Sequence, residues 1–340
     1  MRPTYRKQRI VVAVTVMVAL GIATEVRAQR LTIQTWAGVW EDGARAVGDA
    51  FAKQAGVEVR YEQQVNTRQG IAKIRAQKDN PQVDVVFSTA DALQQAQADG
   101  LLVPINRAGA PNLAALPKQA TRETSIDVGY IAFGLAYRKD LSPFEIKRYE
   151  DLLDPRLRGR VASPTAQYSS GRWIVQLAVN NGGSEKNVEP AFEFLRKLKP
   201  NIATFVVGTD PIKVLQSGEA AVTYLIFSEV AKLLGGPDSP YRFVLPEGKP
   251  VITNVLAIGM TNPKSADLAN KFVNYMASAE AQEAYCLKIV CAPPHPKAQP
   301  PAELKAFRPP AELVYAPDWD LINKNLPAWD DRFKKEIQSR

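Results

Sequence analysis

Histidine and cysteine are almost absent from this sequence, which has one histidine and two cysteines in 340 residues. A Ser-His-Asp mechanism or a histidine-rich metal site would therefore depend on His295 alone. His295 stands in a Pro-Pro-His-Pro run, which predicts an exposed loop. The sequence also shows no nucleophile paired with a base and no Walker-type glycine loop. We therefore expect a protein that is not an enzyme and holds no cofactor.

Long hydrophobic runs are absent except at the N-terminus. A basic stretch precedes the apolar run Ile10–Leu20, and a small residue, Ala28, offers a cleavage site. These features predict a signal peptide over residues 1–28 and a periplasmic mature protein without a lipid anchor. The alternative is an N-terminal membrane anchor, although the run is shorter than the roughly 18–20 apolar residues of a membrane span.

The net charge of +8 shrinks when this signal is removed. Residues 1–28 contain five of the 43 Lys and Arg residues and one of the 35 Asp and Glu residues, leaving 38 basic and 34 acidic residues. A balance of +4 gives little reason to expect a nucleic-acid partner.

The two cysteines, Cys286 and Cys291, are close in sequence. In an oxidising compartment such a pair is usually a disulfide, which we predict here, with free thiols as the alternative. A metal site is not expected because only His295 is near enough to add a ligand.

Alternating strand and helix patterns indicate an α/β protein. Strand patterns at Leu31–Trp36, Val57–Tyr61 and Val83–Phe87 are separated by helical spacings. Such alternation predicts parallel strands joined by crossover helices. The second half repeats this style up to a strand pattern at Val251–Gly259. Open α/β sheets bind ligands at the carboxyl ends of their strands, so we expect a cleft there.

Several segments together resemble the type II solute-binding proteins of bacterial ABC importers, a class with spermidine/putrescine, iron(III), thiamine and phosphonate binders. Each segment is weak evidence alone, and the resemblance rests on their common order over most of residues 31–290. The segments are LTIQTW (Leu31–Trp36), VDVVFST (Val83–Thr89), GLLVPI (Gly100–Ile105), YEDLLDP (Tyr149–Pro155) with LRGRV (Leu157–Val161), QSGEA (Gln216–Ala220), and ANKFVNYM (Ala269–Met276) with EAQ (Glu280–Gln282).

The resemblance implies a two-lobed periplasmic-binding-protein fold with two hinge crossings. Residues 29–126 plus 259–340 would form lobe 1 and residues 127–258 lobe 2, with hinge strands near 127–137 and 250–258. It also implies a monomer that takes a small solute between its lobes and delivers it to an inner-membrane ABC permease. A receptor for a sensor kinase or chemoreceptor is the alternative function.

The family pattern also implies where the solute is bound. The positions are the loop after the first strand, the end of the third strand, a helix start in lobe 2 and the second crossing. Whether the tryptophans and Tyr224 line the cleft or pack within a lobe stays open. The residues are Trp36, Trp40, Ser88, Thr89, Tyr168, Ser169, Ser170, Gly171, Arg172, Tyr224 and Asn254.

The solute expected from these residues is a compact organic anion or zwitterion. Hydroxyls and a glycine before a helix, at Ser169–Gly171, suit an anion at the helix N-terminus, with Arg172 as a further contact. The alternative is an ordinary N-cap with Arg172 facing solvent. Polyamine binding is the less favoured option, because Asn254 stands where polyamine binders carry an aspartate. Iron(III) binding is also less favoured, because Tyr224 has no adjacent tyrosine and no metal is expected.

Overall fold

The computed structural model describes residues 29–208, 210–236, 238–307, 309 and 311–339. The predicted signal peptide, residues 1–28, lies outside the described residues. Within the described part of the chain, no helix is long and apolar enough to cross a membrane.

The first lobe begins with three parallel strands in the order β2-β1-β3, separated by helices as the sequence predicts. Helix α1 ends at Gly56, whose left-handed φ of 68° lets its N–H reach the Ala52 carbonyl. The elements are β1 (Arg30–Trp36), α1 (Val39–Ala55), β2 (Glu58–Gln64), α2 (Thr67–Ala76), β3 (Val85–Thr89) and α3 (Ala90–Ala98).

The chain then crosses into the second lobe through a 14-residue strand, β4. Three further parallel strands in the order β7-β5-β6 form that lobe. The elements are β4 (Ser125–Arg138), β5 (Val161–Pro164), α4 (Arg172–Asn180), α5 (Glu189–Leu198), β6 (Ile202–Val206), α6 (Asp210–Ser217), β7 (Val222–Ile226), α7 (Phe227–Val230) and β8 (Tyr241–Val244).

A second crossing strand, β9 (Val251–Met260), runs antiparallel to both β3 and β4. The two crossing strands join the lobes into one sheet path, β2-β1-β3-β9-β4-β7-β5-β6. The remaining elements are α8 (Ala266–Met276), α9 (Ala279–Ile289), β10 (Val314–Tyr315) and α10 (Trp319–Phe333).

The helices after β9 divide between the lobes. Helix α9 packs on α1, where Gly43 permits close approach because a Cβ there would lie 2.7 Å from Ile289 Cγ2. Helix α10 packs on the second lobe instead: Arg332 bonds Glu189 of α5 at 2.6 Å. This packing departs from the predicted boundaries, which placed all of residues 259–340 in lobe 1.

The proline-rich segment after α9 is less exposed than predicted. His295 is only 6% exposed, so the expectation of an exposed loop residue is wrong. Its backbone N–H donates to Gln282 Oε1 at 2.8 Å, and its Nδ1 accepts from the Lys297 N–H at 3.2 Å. These bonds hold the loop against α9, which the local sequence pattern does not reveal.

The predicted disulfide between Cys286 and Cys291 is confirmed. The residue after Cys291, Ala292, exchanges two 2.9 Å backbone hydrogen bonds with Tyr130 of the crossing strand β4. A Cβ on Gly129 of β4 would lie 2.6 Å from Cys291 Sγ. The disulfide therefore lies directly against a crossing strand.

Replacing both cysteines by alanine is expected to lower the free energy of unfolding by about 2 kcal/mol, the low end for disulfides, because the closed loop is short. Urea denaturation of the exported protein would measure this loss. Reduction of the wild type should produce the same loss and should leave the double variant unchanged. Equal stability of the two proteins would contradict the prediction.

Candidate functional site

Buried polar atoms without partners mark the carboxyl edge of the strands in the first lobe. The hydroxyls of Ser88 and Thr89, at the end of β3, have no hydrogen-bond partner among the described residues. The same is true of Thr35 Oγ1 and Gln34 Oε1 near the end of β1. All four side chains are at most 5% exposed. Buried polar groups in native proteins are normally bonded, so such a group of exceptions indicates a binding site.

Asn254 of the crossing strand β9 extends this edge. Thr89 pairs with Leu256 in the antiparallel register. Asn254, two residues before Leu256 on β9, therefore lies just beyond the end of β3. Residues two apart share a face of the strand, which puts Asn254 on the side of Thr89. Its Oδ1 is buried and has no described partner either. The structure thus places the predicted residues Thr89 and Asn254 on one face of the sheet, whereas Ser88 lies on the opposite face at the same strand end.

The second lobe presents a similar edge at the carboxyl ends of β5 and β7. Thr165 directly follows β5, Tyr224 lies on β7, and Glu229 follows β7 in α7. Each has a buried oxygen without a hydrogen-bond partner among the described residues, and the buried indole nitrogen of Trp173 also lacks one. Sequence reasoning selected only Tyr224 here. The five residues that it missed share one recognisable signal, their place next to a strand's carboxyl end or a helix start: Gln34, Thr35, Thr165, Trp173 and Glu229.

The segment Tyr168–Arg172 has an unusual backbone. Ser169, Ser170 and Gly171 have φ values of 46°, 59° and 87°, three successive left-handed residues. Only glycine adopts this region without cost, so the two serines store strain of the kind found at functional sites. Helix α4 then starts with Gly171 as N-cap and with no side-chain cap hydrogen bond. The alternative in which a serine caps the helix is therefore not what the structure shows.

Arg172 is buried in an ion pair that joins the two lobes. Its Nη2 lies 2.9 Å from Asp91 Oδ1 of α3, and both side chains are at most 3% exposed. Its Nη1 donates to the Ser169 carbonyl, and Trp319 of α10 covers the guanidinium at 4.0 Å. Arg172 does not face solvent, and a two-pronged contact with a solute would require this pair to break.

Three weaker contacts also join the lobes. The Arg68 guanidinium donates to Gln167 Oε1 at 2.7 Å. The Ser228 hydroxyl lies 3.4 Å from the Val290 carbonyl, and Lys232 Nζ lies 4.0 Å from Asp42. With the Asp91–Arg172 pair, these contacts join the lobes near the carboxyl ends of their strands.

The aromatic residues of the predicted site have different roles. Trp40 is 7% exposed, and its ring lies 5.7 Å from that of Trp36. Trp36 is half-buried, and continuing the β1–β3 register by two residues places it beside Ser88. Tyr224 packs inside the second lobe, 4.8 Å from Trp173 and stacked 5.5 Å from Phe133. Trp40 and Tyr224 thus pack mainly in the lobes, and Trp36 lies at the edge.

Burial shifts the pKa values of the acid and phenol groups at this site. Burial raises the pKa of Glu229 to about 8 and the pKa of Tyr168 and Tyr224 well above the ordinary value of a phenol. Among the described residues, no group of three or more His, Cys, Asp and Glu side chains could hold a metal ion.

Two open cavities lie elsewhere on the first lobe. One, of about 380 Å³, is lined by Phe51 of α1, Asn112 and Tyr275 of α8. The other, of about 330 Å³, lies between Ile74 of α2 and Pro263. Neither is lined by the unpartnered strand-end residues. The unpartnered polar atoms lie instead near the contacts that join the lobes, so we take the interface between the lobes as the candidate site.

Comparison with known proteins agrees with this architecture. A family model described as bacterial extracellular solute-binding protein matches residues 46–308. An uncharacterized Haemophilus influenzae protein is 29% identical over 62% of this chain and 63% of its own length. The spermidine/putrescine-binding periplasmic protein 1 of Haemophilus influenzae is 24% identical over 78% of this chain and 76% of its own.

Two further similar proteins are described as binders of phosphorus-containing solutes. A putative 2-aminoethylphosphonate-binding periplasmic protein of Salmonella paratyphi A is 26% identical over 86% of each chain. The periplasmic binding protein AfuA of Actinobacillus pleuropneumoniae, solved with fructose-6-phosphate, has a TM-score of 0.73. It is 21% identical and covers 92% of this chain and 99% of its own. At that identity the structural likeness establishes the fold alone.

Proposed function

Since this chain belongs to the bacterial extracellular solute-binding proteins, we propose that it is the periplasmic receptor of an ABC importer and binds a compact organic anion or zwitterion between its lobes. Its first lobe would comprise residues 29–126 with the segment after β9. Its second lobe would comprise residues 127–258 together with α10. The receptor would act as a monomer, deliver its solute to an inner-membrane permease and catalyse no reaction.

The observation that carries this proposal is the start of α4, which has no side-chain cap and which the Asp91–Arg172 ion pair holds beside the helix that follows Ser88 and Thr89. A helix N-terminus with free N–H groups favours an anion. Ser88, Thr89 and Asn254 supply buried polar atoms from the other side of the interface. A solute that contacts both sides binds the closed form better, which is what drives closure.

The nearby acids argue against a polyamine. A polyamine needs a carboxylate for each buried ammonium group, because an unpaired buried charge is costly. Asp91 is already paired with Arg172, and Glu41 bonds Arg45 at 2.6 Å. Asp42 lies 4.0 Å from Lys232. Too few free carboxylates remain for two or more ammonium groups.

The tyrosines argue against iron(III). Tyr168 and Tyr224 have ring centroids 6.4 Å apart, so the structure does place a second tyrosine near Tyr224. Ferric sites use phenolate oxygens, however, and burial raises the pKa of both hydroxyls. Both rings therefore favour the neutral phenol.

A thermal-shift screen would test the proposed function. It should contain polyamines, ferric citrate and matched pairs with and without an amine: 2-aminoethylphosphonate with ethylphosphonate, β-alanine with propionate, and taurine with ethanesulfonate. We expect an anionic or zwitterionic member to raise the melting temperature by mass action. Stabilisation by a polyamine or ferric citrate alone, or turnover of a probe, would overturn the proposal.

Ser170→Asp should weaken anion binding at least tenfold, because it places a negative charge at the start of α4. Asp tolerates the left-handed backbone of this position, so the fold should be retained. Ser170→Asn is the matched control, since it tolerates the same backbone without the charge. Calorimetric titration with the best anion of the screen would measure both. Equal weakening by the two variants would argue against the helix-terminus site.

A further inference from the structure

Glu229 lies on a segment that touches both lobes. Helix α7 follows β7 directly and places Ser228 against the Val290 carbonyl of the first lobe. Just after α7, Lys232 approaches Asp42 of the first lobe. Glu229 stands between these two contacts, at the carboxyl end of a parallel strand, where α/β proteins bind ligands.

The side chain of Glu229 is partly buried, and one of its two carboxylate oxygens is enclosed without a partner among the described residues. Its Oε2 is buried and accepts no hydrogen bond from any described residue. The charged and titratable groups that face it are Tyr168 and, from α6, Asp210 and Lys213. Lys213 is exposed and already lies 3.2 Å from Asp210. An ionised Glu229 therefore lacks the partner that a buried charge requires.

Glu229 and the start of α4 share one neighbour. Tyr168 opens the left-handed segment before α4, and its hydroxyl lies within electrostatic reach of both Glu229 and Arg172. A cation held by Glu229 and an anion held at Ser169–Gly171 would therefore both lie near Tyr168.

We propose that Glu229 binds the ammonium group of the solute, so that the receptor selects a small zwitterion over the corresponding simple anion. This inference rests on the proposed function and narrows its ligand class. One carboxylate without a partner among the described residues at this interface matches one ammonium group, in contrast to the two or more of a polyamine.

The pH dependence of binding follows from this role. Burial raises the pKa of Glu229 from 4.5 to about 8, so below pH 8 the carboxyl is mostly protonated before binding. Binding an ammonium group stabilises the carboxylate and releases that proton. Affinity for the zwitterion should therefore rise between pH 5 and 8, approaching tenfold per pH unit. Affinity for the amine-free partner should not rise in this way, because that partner offers Glu229 no ammonium group and its binding releases no proton there.

The test compares each matched pair of the screen on Glu229→Gln and on Glu219→Gln, a control at an exposed acid of the same lobe. Glutamine has nearly the same shape but cannot carry the negative charge. We expect Glu229→Gln to reduce the preference for the zwitterion over its amine-free partner at least tenfold and Glu219→Gln to leave it unchanged. Should Glu229→Gln fail to fold, calorimetry of the wild type in buffers of different ionisation enthalpy measures the proton released by each probe.

The outcomes separate the two proposals. A preference that is unchanged in Glu229→Gln, or equal proton release by both members of a pair, overturns the role of Glu229. If the protein binds amine-free anions but no zwitterion, the role of Glu229 is overturned as well, whereas the proposed function still stands. Binding of no anion or zwitterion overturns both.

Discussion

Replacing Asp91 by alanine is expected to weaken solute binding by at least about 100-fold. The substitution removes the partner of Arg172, and this costs free energy only in the closed state, where the guanidinium is buried. Removing one member of a buried pair costs about 3–5 kcal/mol, since the other charge stays buried and uncompensated. When the lobes separate, water can solvate Arg172, so the cost falls on the closed state. A closed state that is less stable by this amount binds its solute correspondingly more weakly.

Titration calorimetry and solution scattering would measure this effect. The wild type should become more compact when saturated with solute, and Asp91→Ala should stay extended at the same concentration. Arg156→Gln is the control, because it removes an exposed ion pair within the second lobe. The double variant Asp91→Leu with Arg172→Met should recover part of the closure, since apolar residues can replace a buried pair. Unchanged affinity in Asp91→Ala would exclude the pair as a closing contact.

The strand-end part of the candidate site could be predicted from sequence. A dense apolar strand followed by Ser88 and Thr89 indicates a buried parallel strand that ends in two hydroxyls. The crossing strand with a polar Asn254 in its middle is visible as an exception in an apolar pattern. Both signals are local, because strand periodicity and strand ends are read from neighbouring residues.

The contacts between lobes could not be predicted in this way. Asp91 and Arg172 are 81 positions apart and meet only because two separate α/β units face each other. Asp91 alone suggests an ordinary acidic residue in the first turn of a helix. Glu229 was overlooked for the same reason, since its missing partner is a property of the packed structure. His295 shows the reverse error, because its proline-rich setting indicates exposure while Gln282 holds the loop in place.

Tyr224 has a buried ring and a buried hydroxyl, whose contributions can be tested separately. Tyr224→Ala should lower the free energy of unfolding by about 3–5 kcal/mol, as for other large aromatic truncations in a core. The side chain is 1% exposed and lies against Trp173 and Phe133. Urea denaturation would measure the loss, and an unchanged stability would contradict the packing role.

Tyr224→Phe isolates the hydroxyl. Because this hydroxyl is buried without a described partner, its removal should leave the stability unchanged or raise it. If the hydroxyl also contacts the solute, as the family resemblance implies for this position, the same change should weaken binding by about 0.5–1.5 kcal/mol, the range of a single hydrogen bond. Tyr61→Phe is the contrasting control, since it removes a hydroxyl that donates to Asp49 at 2.7 Å, far from the site. Affinity that is equal in Tyr224→Phe and the wild type would assign Tyr224 to packing alone. In that case the Thr165 hydroxyl, directly after β5, would remain as a group of the second lobe that can offer the solute a hydrogen bond.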